Sequence, residues 1–129
     1  MTQNANAAAD PKELHDATDR LNAAIWVVED ALRAVNPWCV ATVVLSDGNI
    51  IGWTKVRGTW RLIVTTPGEP VPLVSAARTT RVLAVARFND LLVAMRQAVA
   101  DQLAAVNEAT DVAQSFAADL RRAAQQAKK

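Results

Sequence analysis

From residue 73 to the C-terminus the chain contains neither glycine nor proline, the two residues that most readily stop a helix. Within that stretch Val85, Leu92, Val99, Val106, Ala113 and Leu120 recur every seven residues. A straight helix repeats every 3.6 residues, so a seven-residue row keeps to one face only where helices wind around each other. A companion row reads Phe88, Met95, Gln102, Ala109 and Phe116, apolar but broken by a glutamine, which can fix register in a bundle. One helix over the whole stretch would run roughly 85 Å, too long to hide its stripe inside a domain of 129 residues. The stripe therefore needs cover from outside. A homo-oligomer is expected, built through Val85, Phe88, Leu92, Met95, Val99, Leu103, Val106, Phe116 and Leu120. Two other covers are open: the stripe folds back on the first helix, which would reach about half of it, or a different protein takes the place.

Upstream, residues 1–9 are polar and alanine-rich and are expected to fray. Asp10-Pro11-Lys12-Glu13 is a helix start: Asp10 caps free amides, Pro11 suits the first helical position and Glu13 can reach back. Leu14, Leu21, Ile25, Val28 and Leu32 form one stripe, widened by Ala17, Ala24 and Val35, and Asn36-Pro37 ends the helix. Three strands are expected next, over residues 39–46, 49–56 and 59–65. Asp47-Gly48 and Arg57-Gly58 read as two-residue turns, which sets Ser46 opposite Asn49 and Val56 opposite Thr59. In that register Val40, Val44, Ile51, Trp53, Trp60, Leu62 and Val64 share one sheet face with Thr42 and Lys55, and Ala41, Val43, Leu45, Ile50, Val56 and Ile63 share the other. Residues 67–72 read as a stiff loop ending the meander, and Ser75 as a cap for the helix beyond it. Asn89-Asp90 could start a fresh helix, yet Val85, Phe88, Leu92, Met95 and Val99 keep one phase across the junction, which favours a single helix from about residue 82.

The expected fold is thus α+β: an N-terminal helix, a three-stranded antiparallel meander, and a long C-terminal helical arm forming a coiled coil or helical bundle. The expected organisation is a flexible segment over 1–9, a head over 10–72, and an arm over 73–129 with a potential break near 88–90.

Charge is segregated along the chain. Residues 1–50 carry three basic side chains against seven acidic ones, and residues 51–100 carry seven basic against two acidic. Such separation can steer an anionic partner or pair with the acidic part of another copy. Arg57 at a turn, Arg61 on the sheet, and Arg78 and Arg81 near a helix start are the candidate nucleic-acid contacts. The order helix, three antiparallel strands, helix resembles the double-stranded-RNA-binding domain. That resemblance implies shape reading through the first helix, a hairpin loop and a basic helix start. The chain departs from that family where its lysine-rich signature belongs, with Ala76-Ala77-Arg78-Thr79-Thr80-Arg81, and its first helix is acidic. Some small bacterial nucleoid-associated proteins are similar in their helix–sheet–helix plan and dimerise.

Trp53 and Trp60 share a sheet face in the expected register, with Lys55 opposite Trp60, and read chiefly as core. Trp26 lies about 120° off the first helix's stripe. Catalysis has little to stand on. His15 is the single histidine, the glycines form no phosphate loop, and the Glu-x-x-His spacing of bundle metal sites is absent. Cys39 is the single cysteine, which excludes an internal disulfide and suits a structural thiol. No cofactor or metal is expected. The first fifteen or so residues lack a basic start before an apolar run, and no stretch has the length of a membrane span. The expectation is a cytoplasmic, non-enzymatic structural or adaptor protein, with nucleic-acid binding by a homodimer as the alternative.

Overall fold

The computed structural model describes residues 10–35, 39–66 and 68–128. The expected fraying of residues 1–9, the Asn36-Pro37 stop and the position of Trp38 lie outside those residues. Helix α1 spans Pro11–Val35, strands β1, β2, β3 and β4 span Ala41–Val44, Ile50–Val56, Thr59–Thr65 and Val71–Pro72, a 3-10 turn spans Leu73–Ser75, and helices α2 and α3 span Arg78–Ala86 and Phe88–Ala127. The sheet is antiparallel in the order β1-β2-β3-β4. The class is α+β, with four strands where three were expected. The loop after β3 does not simply end the meander, because Val71 pairs with Val64 and Pro72 with Ile63. Proline at the end of so short an edge strand gives up no ladder bond that a longer strand would need.

The start of α1 forms as its sequence requires, with the Glu13 amide donating to Asp10 Oδ1 at 2.8 Å. The second hairpin also has the expected register, Val56 opposite Thr59. Arg57 and Gly58 both have positive φ, 50° and 85°, as a two-residue turn of the twist-matched kind demands. The first hairpin differs by one residue. Gly48 (φ 86°) donates to the Leu45 carbonyl at 3.0 Å, and Leu45 donates to Asn49 O at 2.7 Å, so the loop is Ser46-Asp47-Gly48 rather than Asp47-Gly48. Asp47 Oδ1 holds it by accepting the Asn49 amide at 2.9 Å. A type I turn followed by a left-handed glycine is the usual three-residue hairpin loop. The slip turns β1 over. Ala41, Val43 and Leu45, not Val40, Thr42 and Val44, join Ile51, Trp53, Leu62 and Val64 on the buried face.

Helix α3 packs along β1 and β2, and α1 along β3 and the 3-10 turn. Between them and the sheet lies one core of Ile25, Ile51, Trp53, Leu62, Val64, Leu73, Ala84, Leu91 and Met95. The core therefore draws on residues well past 73. Trp53 and Trp60 stack within it at 6.0 Å between ring centroids. Two further expectations are corrected downstream. Ser75 ends the 3-10 turn and caps nothing: α2 begins after Ala77, without a side-chain cap. And the helical stretch is two helices, interrupted at Arg87 (φ −107°, ψ 9°) rather than at Asn89-Asp90. Only one residue leaves the helical region, so the apolar phase passes almost undisturbed and the sequence reads through the break.

Side chains meet some of the free backbone groups on either side of the sheet. Strand β4 meets only Ile63 and Val64 of β3, which leaves the outward amide of Leu62 and carbonyl of Trp60 without a strand. From α1, Glu29 Oε2 accepts the Leu62 amide at 2.8 Å and Arg33 Nη1 donates to the Trp60 carbonyl at 2.8 Å. The two sit one turn apart on the helix and reach neighbouring groups of one strand. At the other edge, Arg87 Nη1 donates to the Val44 carbonyl at 3.0 Å while its Nε pairs with Asp90 at 2.6 Å. Unpaired edges invite strands from other chains, and these contacts occupy three of the backbone groups such a strand would use.

Candidate functional site: the exposed helical arm

Past the head, α3 continues alone. Every described residue from 99 to 127 is exposed except Ala117, which is partly so. Alanine-rich composition keeps this segment helical, but its large apolar side chains are left mostly uncovered by the described residues. Val99 is 42% exposed, Leu103 60%, Val106 57%, Phe116 63% and Leu120 56%. At 100° per residue the large apolar residues Val99, Leu103, Val106, Val112, Phe116 and Leu120 occupy about half of the helix circumference. Asp101, Glu108, Asp111, Asp119 and Arg122 occupy the other half. The hydrogen bonds of these polar groups are local, Gln97 to Asp101 at 2.8 Å and Arg122 with Asp119.

The expected interface residues separate into three groups. Val99, Leu103, Val106, Phe116 and Leu120 lie on the arm. Phe88 and Leu92 are partly buried against α1, whose Leu32 and Val35 form with Leu92, Arg96 and Val99 a groove at the root of the arm. Val85 lies on α2 and is part-exposed. Met95 is 2% exposed and belongs to the molecule's own core, reaching only the floor of that groove.

The four candidate nucleic-acid arginines do not converge. Arg61 Nε is 3.6 Å from Glu29 Oε2, and the guanidinium stacks 4.9 Å from the Trp26 ring centroid. That stack gives Trp26 its packing partner. Arg81 donates to Asn22 Oδ1 at 2.5 Å. Arg57 and Arg78 remain exposed, on a hairpin turn and at the start of α2. His15 pairs with Asp19 at 3.4 Å on the open surface of α1. Among the described residues no three His, Cys, Asp or Glu side chains gather as a metal site, and no helix is long and apolar enough to cross a membrane.

No protein family, curated protein or solved structure matches this chain.

The side chains that sequence reasoning overlooked are Glu29, Arg33 and Arg87. Glu29 had a signal: it stands four residues after Ile25, in line with the buried stripe, and Arg33 follows at the same spacing. A charged residue in line with a core row needs a buried partner. Arg87 had none, since its role depends on where α3 meets β1.

Proposed function

We propose that this is a non-enzymatic structural or adaptor protein of the cytoplasm that self-associates through the second half of α3 and displays the sheet-bearing head. The supporting observation is the bare arm: a helical segment roughly 40 Å long whose apolar half is, beyond its root at Val99, left uncovered by the described residues.

The test replaces Val99 and Val106 together by aspartate. Burying a valine fully is worth about 1.5–3 kcal/mol, and roughly half of each is still available for burial. Four such side chains in a dimer contribute about 4 kcal/mol, so the double variant should weaken association at least ~1,000-fold. Light scattering across a concentration series should show an oligomer for the parent and a monomer for the variant. An unchanged oligomer mass with unchanged helicity would refute the arm as the interface.

A further inference from the structure

The arm's charges and side-chain sizes both run unevenly from root to tip. Between residues 97 and 119 the charged residues are all acidic: Asp101, Glu108, Asp111 and Asp119. From residue 120 on they are all basic: Arg121, Arg122, Lys128 and Lys129. Their placement around the helix differs as well. With Val99 as origin and 100° per residue, Leu103, Val106, Ala113, Ala117 and Leu120 fall within about 60° of it. The four acids lie about 120° or more away, on the polar back. Arg121 and Lys128 lie within about 40° of the apolar row. Two arms laid parallel and in register along this row would set Arg121 against Arg121 and Lys128 against Lys128, with no acid at the seam to offset them.

Size gives the same preference. In a parallel pair Leu103 would face Leu103 and Val106 face Val106, followed by a stretch of Ala113 and Ala117 facing themselves. Uniform helix spacing cannot fill both ends and the middle of such a seam. Reversing one arm resolves both problems in a single register. Opposite Leu120 then comes Leu103, opposite Ala117 comes Val106, opposite Ala113 comes Thr110, and opposite Ala124 comes Val99. Each layer of smaller residues meets a larger one. Arg121 meets the amide of Gln102, and the two copies of Arg121 stand about 28 Å apart, more than three Debye lengths at physiological salt. The antiparallel arrangement also opposes the two helix dipoles.

We infer that the arm's occupant is the arm of a second copy running antiparallel, with Leu103 of one chain facing Leu120 of the other. This rests on the self-association proposed above and adds its orientation and register. The two heads then stand at opposite ends of the paired arms, which makes the assembly a two-headed spacer.

Disulfide trapping tests it. In a Cys39→Ala background, one tagged chain carries Leu103→Cys and an untagged chain carries Leu120→Cys. Both positions are mostly exposed, so neither change threatens the head; circular dichroism checks this. After mixing and mild oxidation, the expected product is the mixed 103–120 disulfide, with little crosslinking of either variant to itself. A dimer by light scattering that gives a 103–103 link, or no mixed link, overturns the orientation and leaves self-association standing. A monomer at all concentrations overturns self-association itself.

Discussion

Replacing Glu29 by alanine probes the side-chain closure of the sheet edge. Glu29 is 1% exposed, and its Oε2 is the acceptor for the amide of Leu62, itself wholly buried. A hydrogen bond to a charged acceptor contributes about 1.5–3 kcal/mol, and an orphaned buried amide costs about 1–3 kcal/mol; these describe the same loss and are counted once. Truncation also removes buried methylene surface worth about 0.8 kcal/mol per group. The pairing with Arg61 adds little here, because that side chain is 23% exposed and turns to water once released. The sum for Glu29→Ala is about 3 kcal/mol. Glu29→Gln keeps an oxygen for the Leu62 amide and loses the charge, so it should cost about 1 kcal/mol. Urea denaturation at one fixed protein concentration reads both. With a slope near ~2 kcal/mol/M, the midpoint should fall by about 1.5 M for alanine and about 0.5 M for glutamine. Equal losses for the two variants would mean that the charge, not the edge bond, matters. An alanine variant as stable as the parent would refute the reasoning.

Other substitutions follow from particular backbone and packing features. Arg57 holds a left-handed conformation at a hairpin turn, so Arg57→Asn should stabilise by about 0.5–1 kcal/mol, seen as a higher melting temperature; a lower one would contradict the turn assignment. A Cβ on Gly52 would lie 3.2 Å from Thr42 Cγ2, so Gly52→Ala should destabilise by about 1 kcal/mol, and Thr42→Ser in the same chain should restore part of the loss, as a double-mutant cycle would show. Arg61→Ala should appear in denaturation as a loss of about 2 kcal/mol or more, because it removes both the stack on Trp26 and the cation beside the buried Glu29 carboxylate. Should Arg61→Ala instead abolish a salt-sensitive gel shift with double-stranded RNA or DNA while stability is unchanged, nucleic-acid contact would be its role.

The extent to which the chain could be read in advance follows from how local each determinant is. Helix α1 was legible because its start lies in four consecutive residues, Asp10 to Glu13, and the Asp10 cap forms as those residues imply. The second hairpin was legible because Arg57-Gly58 closes only one register. Asp47-Gly48 fits a two-residue or a three-residue loop, and β1 is apolar on both faces, so periodicity could not choose between Ala41-Val43-Leu45 and Val40-Thr42-Val44. Burial against α3 chose. Strand β4 was illegible because it has only two residues, one of them Pro72, and so carries no alternation. On the arm, the heptad row marked Val99, Val106 and Leu120 for an interface, with Leu103 and Phe116 at its flank, but the companion row could not separate Phe116 from Met95. The companion row passes from the molecule's own core at Met95 to exposed Phe116 without a change of pattern.

The side-chain contacts at the sheet edges also have an order in time. Glu29 precedes Leu62 by 33 residues, so on a ribosome the cap for the β3 edge is made before the strand that needs it. Arg87 follows Val44 by 43 residues. At about 5–20 residues per second, the β1 edge waits about 2–9 s between its own synthesis and the arrival of its cap. The nascent chain is therefore most exposed to mispairing on β1, where Val40 and Val44 also face solvent in the finished fold. Slower translation through α2 would lengthen that window, and chaperone demand during synthesis should rise with it.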